Sequence, residues 1–170
     1  MDDPAPDPGP GAESSARREP RTRLVLVVAG TLVLFGLLLA WVDQQARTRE
    51  DRDLAACGDQ AYAAAVRTDQ VLGSMAEYIR PSLAARSGLW DLMSGAAERA
   101  RPGIDAALAR CRDVEVLGLH RTHVRERAAY VDYLAARAGQ LDAIETDGRA
   151  AGESDPELGR LREAAFGDRP

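Results

Sequence analysis

Apolar residues in this chain follow two rules, and the change comes near residue 43. From Leu24 to Val42 every residue is apolar except Thr31, so the run has no polar face. Its nineteen residues at about 1.5 Å rise each span roughly 28 Å, close to a bilayer's hydrocarbon thickness, which predicts a transmembrane helix. The Thr31 hydroxyl can bond back to its own helix, and Trp41 stands where an indole suits the headgroup zone. Beyond residue 43 the pattern turns periodic. Leu54, Cys57, Ala61, Ala64, Thr68, Leu72, Met75 and Ile79 recur in steps of three and four, as on one face of a helix.

That stripe stops near Pro81, and Ser87-Gly88 marks a break. A second stripe follows: Leu89, Met93, Ala96, Ala100, Ile104, Ala107 and Cys111. Read as an antiparallel hairpin, the two stripes pair Cys57 with Cys111, Ala61 with Ala107, Ala64 with Ile104, Thr68 with Ala100, Leu72 with Ala96, Met75 with Met93 and Ile79 with Leu89. The implied turn is centred on Ala84, between the two breakers. Pro102-Gly103 interrupts the second stripe and predicts a kink or a split there.

A third stripe runs Leu117, His120, Val124, Ala128, Val131, Leu134, Ala138, Leu141 and ends near Asp147-Gly148. Asp155-Pro156-Glu157 reads as an N-cap, a first-turn proline and a helix-dipole acid. The short helix it opens carries Leu158, Leu161 and Ala165 and stops at Gly167. The expected fold is all-α: one N-terminal transmembrane helix, then an antiparallel three-helix bundle with a short fourth C-terminal helix. Residues 1–23 are expected to be a disordered cytoplasmic tail and 24–42 the membrane helix. A charged helical stalk at 43–53 leads to the bundle at 54–147, with its hairpin turn near 81–88. Residues 148–170 complete the chain as a loop and the last helix.

Charge sets the direction. Arg17, Arg18, Arg21 and Arg23 precede the apolar run, whereas Arg47, Arg49 and Arg52 lie farther from its other end among acids. Basic residues favour the cytoplasmic side, so the tail should stay inside and the C-terminal domain should be extracytoplasmic at the plasma membrane. The long apolar core and the bulky residues of Trp41-Val42 predict a retained signal anchor rather than a cleaved signal peptide. Leu54-Ala55-Ala56-Cys57 has the look of a lipobox, but a charged stretch separates it from the apolar core, so Cys57 should not be lipidated. In an exported domain Cys57 and Cys111 should instead be oxidised together. Closing a loop of about 55 residues stabilises by about 4 kcal/mol in the chain-entropy model.

Composition adds a source and removes a partner. The chain has no lysine and no asparagine, while alanine, arginine, glycine and aspartate are plentiful, as in a very GC-rich genome. In this, and in its single span, it resembles the many uncharacterised single-pass, signal-anchor membrane proteins of GC-rich actinobacteria; that resemblance brings no activity with it. Residues 43–170 hold 22 acidic side chains against 18 arginines, and no basic face large enough for nucleic acid is visible. Gly36-x-x-x-Ala40 is a small-xxx-small pair through which the span could form a homodimer.

Candidate chemistry is sparse. His120 and His123 are the only histidines, and His120 falls on the apolar stripe, where a hydrogen-bonded core histidine is the expected reading. Asp113, Glu115 and Glu126 nearby read as ordinary surface acids, so no metal site and no cofactor is expected. Tyr62, Tyr78, Tyr130 and Tyr133 suit the edge of a bundle, and Asp142, Glu145 and Asp147 a solvated helix end. No catalytic signature is present, which predicts a protein that is not an enzyme. The expected function is a membrane-tethered extracytoplasmic interaction or structural module, touching the lipid bilayer and an unidentified membrane or envelope protein. The alternative is a ligand-sensing ectodomain that signals through a separate membrane partner.

Overall fold

The computed structural model describes residues 19–79, 86–146 and 155–167. Four helices account for nearly all of them: α1 (Glu19–Ile79), α2 (Arg86–Arg112), α3 (Arg121–Thr146) and α4 (Pro156–Phe166). The chain divides into two compact units, Met1–Ala46 and Arg47–Pro170, and α1 contributes to both.

In the first unit α1 starts at Glu19, five residues ahead of the apolar run, with Pro20 in its first turn, where a missing N–H costs nothing. The expected tail up to residue 23 is therefore helical at its end, and the rest of it lies outside the described residues. The apolar side chains face outward all round, from Leu24 at 68% exposure to Trp41 at 62%. The segment has a mean hydropathy of 2.7 and is long and apolar enough to cross a membrane. Thr31 satisfies its hydroxyl as expected, donating to the Val27 carbonyl at 2.8 Å.

In the second unit the α1 stripe is buried at Leu54, Cys57, Ala61, Ala64 and Thr68 and half-buried at Leu72. Opposite it α2 buries Met93, Ala96, Ile104, Ala107 and Cys111. Cys57 and Cys111 are bonded, with Cα atoms 5.1 Å apart, as the hairpin pairing requires. Met75, Ile79 and Leu89 lie outside the described side chains, and the centre of the hairpin turn outside the described residues. Ser87 and Gly88, expected as a break, instead fall in the first turn of α2.

Alanine makes the core thin. Ala61, Ala65, Ala96, Ala97 and Ala107 are fully buried, so the helices approach closely and few large side chains are needed between them. One close approach is at Gly58, where an added Cβ would lie 2.8 Å from the Tyr130 hydroxyl oxygen of α3. Of the kink or split expected at Pro102, the split does not occur: α2 runs through it. Pro102 is exposed, so the carbonyl it leaves without a helical donor can face water.

Contacts along α2 and α3 run in opposite directions: Ser94 reaches the Glu145 carbonyl, Arg101 reaches Asp142, and Arg127 reaches the Val114 carbonyl. The buried face of α3 differs from the expected stripe. Leu134 and Leu141 belong to it, but Leu117 is 47% exposed and Ala128 is exposed, while Tyr130, Tyr133, Arg137 and Ile144 are buried. Tyr130 and Tyr133 are therefore not edge residues. Each has a polar tip that hides its apolar body from a pattern reading; Tyr130 bonds its hydroxyl to Glu126 at 3.1 Å.

The last helix forms as its cap residues demand. Asp155 accepts from the Glu157 N–H at 2.8 Å, Pro156 follows, and Gly167 closes the helix at φ 57°. Leu158 and Phe166 are buried, and Leu161 and Ala165 pack partly against the core. Phe166, absent from the expected stripe, is the anchor. Its ring lies 5.5, 5.9 and 5.0 Å from those of Tyr62, Tyr130 and Tyr133 and fills the space between them.

Candidate functional site

The most concentrated chemistry in the second unit gathers where the α2–α3 turn meets α1. α2 gives way at Arg112 to an irregular stretch that ends in a turn, where the His120 N–H donates to the Leu117 carbonyl at 2.9 Å. His120 then precedes α3 as its capping residue, its carbonyl accepting from the Val124 N–H at 3.1 Å. Three residues on, His123 stands one turn along, beside it, with the two rings edge to face at 5.7 Å.

Both imidazoles converge on one carboxylate of α1. The Glu50 Oε2 atom lies 2.6 Å from His120 Nδ1 and 2.8 Å from His123 Nδ1, and Glu50 Oε1 accepts the Leu117 N–H at 2.9 Å. The other His123 nitrogen, Nε2, lies 2.9 Å from Asp51 Oδ1. The Glu50 and His120 side chains are 6% and 4% exposed and His123 is 17% exposed. Burial alone would raise the Glu50 pKa, but hydrogen bonds from His123, the Leu117 N–H and His120 outweigh it and hold the carboxyl down at about 2. Glu50 is thus a buried anion with every contact satisfied by a donor.

His120 is the hydrogen-bonded core histidine that its place on the stripe implied. The partner was missed. Glu50 sat in a run that reads as solvated stalk, yet it lies four residues before Leu54 and seven before Cys57, in phase with the buried face. That phase is the signal that could have found it. Asp113 and Glu115 are exposed, and Glu126 serves Tyr130, so none of the acids near the histidines in sequence is the one that meets them.

Two other charged clusters tie the bundle. Asp69 on α1 receives Arg137 of α3 on Oδ1, and Arg162 of α4 on Oδ2 at 2.6 Å. Arg101 on α2 bonds Asp142 at 2.8 Å and Glu145 at 3.0 Å, so these two acids also make cross-helix ion pairs, Asp142 while 64% exposed and Glu145 half-buried; Asp147 lies outside the described residues. Of the arginines that set the expected topology, Arg21 and Arg23 lie in the opening turns of α1, and Arg17 and Arg18 lie outside the described residues.

A surface pocket lined by Arg47, Leu119, Arg121 and Thr122 reaches His120 and His123. A longer groove of about 620 Å³ runs between α1 and α2, floored by Ala63, Ala64, Ala100, Gly103 and Ala106 and flanked by Arg67 and Arg99. Neither a protein-family model, nor a curated protein, nor a solved structure matches this chain.

Proposed function

We propose that this chain is a membrane-tethered, extracytoplasmic helical module that binds a membrane or envelope protein and performs no chemistry of its own. The observation that carries the reading is the Cys57–Cys111 bond, which joins two helices of the domain that follows an outward-facing apolar segment. Such a bond persists in an oxidising compartment, and four arginines ahead of the segment favour keeping that end in the cytoplasm.

The α1–α2 groove is the face offered to a partner. Its floor of alanines and Gly103 lets a helix or extended segment come close, and Arg67 and Arg99 beside it favour an acidic one. A photo-crosslinking residue placed at Ala63 or Ala106 in cells should give one discrete adduct, whereas one at Glu163 should give none. Equal adducts at all three positions, or none at any, would count against the reading.

One observation favours the alternative of a ligand-sensing ectodomain. The groove's volume of about 620 Å³ is of a size that holds a small molecule. Tyr62, Tyr130 and Tyr133 hold Phe166 between them, so a ligand would have to use the groove. Saturable stabilisation of the chain by a small molecule, abolished by Arg67→Ala or Arg99→Ala, would favour this second reading over the first.

A further inference from the structure

We propose that Glu50, His120 and His123 form a binding site for a zinc-type divalent cation, with Glu50 Oε2 and the two Nδ1 atoms as ligands. Together the three residues offer ligand atoms that all lie within 4.8 Å of one another. Two imidazole nitrogens with one carboxylate oxygen are borderline donors that suit zinc and its transition-metal neighbours rather than magnesium or calcium.

The distances need little change. Oε2 lies 2.6 and 2.8 Å from the two Nδ1 atoms. Tetrahedral zinc with bonds of about 2.0–2.1 Å holds its ligand atoms roughly 3.3 Å apart. Opening the two separations from Oε2 by about 0.5–0.7 Å, and setting the two Nδ1 atoms, which lie within 4.8 Å of each other, at the same spacing, seats the ion through ring and carboxylate rotations. It takes the place of the hydrogen bonds that join Oε2 to the rings: each ring binds through Nδ1 as neutral imidazole with its one remaining proton on Nε2, and any second ring proton leaves to solvent.

The outer contacts are those that orient metal ligands. Asp51 stands 2.9 Å from the far nitrogen of His123, the arrangement in which a carboxylate fixes the tautomer and aims the metal-facing nitrogen. The Leu117 N–H holds Glu50 Oε1, leaving Oε2 for the ion. Charge balances as well, since a dication neutralises Glu50 and Asp51 when both rings are neutral. The pocket lined by Arg47, Leu119, Arg121 and Thr122 gives solvent a path to both histidines, for entry of the ion and for water as fourth ligand. Its place would be between α1 and the start of α3, so binding would cross-link them.

The test uses the full chain without a histidine tag, in detergent, oxidised and stripped with chelator. Zn²⁺ titration should show one ion per chain and raise the melting temperature. Co²⁺ should bind in the same ratio with the strong visible bands of a four-coordinate site and be displaced by Zn²⁺. Glu50→Gln and His123→Gln should each weaken Zn²⁺ by more than about 100-fold, and Asp51→Asn by about 10- to 100-fold. Asp69→Asn, far along α1, should leave affinity unchanged. If Glu50→Gln fails to fold, His123→Gln and the Co²⁺ spectrum of the unaltered chain still decide. No stoichiometric binding of either ion, or binding that His123→Gln leaves intact, would overturn the proposal.

Discussion

Glu50 and Asp69 both reach from α1 into the bundle, and each gathers two basic side chains, yet the two clusters differ in kind. Glu50 is 6% exposed and holds two imidazoles and a backbone N–H. Asp69 is 35% exposed and holds two guanidiniums, of which Arg137 is 8% exposed and Arg162 is 45% exposed. A guanidinium keeps its proton at every ordinary pH, so the Asp69 cluster is a fixed ion pair that joins α1 to α3 and α4. An imidazole can exchange its proton for a metal ion. The nature of the basic partner, and not the carboxylate, separates a strut from a candidate site.

The two clusters also differ in what stands beside them. Cys57, two turns along α1 from Glu50, is bonded to Cys111, whereas Asp69 lies three turns beyond that bond. Reduction therefore tests the comparison most severely. It should cost the full chain about 4 kcal/mol in denaturant unfolding, and amide exchange should rise first around residues 113–120, next to Glu50. Equal loss of protection around Arg137 would show that the two ends are not separately secured.

Glu50→Ala should come next, at about 3 kcal/mol, because it removes the acceptor shared by the buried His120 ring, the half-buried His123 ring and the Leu117 N–H. Asp69→Ala should cost less, about 2 kcal/mol. It leaves Arg137 buried and charged, but Asp69 itself is partly screened by solvent, and Arg137 keeps its bond to Gln140. A larger loss at Asp69 than at Glu50 in chemical unfolding would invert the ranking. Arg162→Ala should move stability by no more than about 0.5 kcal/mol, since its side chain is 45% exposed. A loss several times larger would make the whole Asp69 cluster, and not only its Arg137 arm, structural.

Much of the fold was legible because helical spacing and breakers agree. The Cys57–Cys111 pairing fixed the hairpin, and the Asp155, Pro156 and Gly167 signals fixed α4. The face of α3 was misread because Tyr130, Tyr133 and Arg137 count as polar in a pattern and are buried through their apolar bodies. The site was half legible. His120 lay on a stripe, but Glu50 is 70 residues away, inside a run dense with charged residues. Its phase with Leu54 and Cys57 was the one hint in the sequence, and packing is what separates this buried acid from the six exposed or half-exposed charged residues of the same stretch.

The central claim is that an oxidised helical domain stands outside the membrane on one apolar tether. It is tested most directly in intact cells carrying Gly139→Cys, an exposed position with open space for the new side chain. Cells would be treated with a membrane-impermeant maleimide, quenched in acid and denatured, and the remaining thiols counted with and without reductant. The account predicts that the new cysteine is blocked before lysis and that two further thiols appear only after reduction. A new cysteine that reacts only after lysis, with Cys57 and Cys111 titrating without reductant, would contradict it.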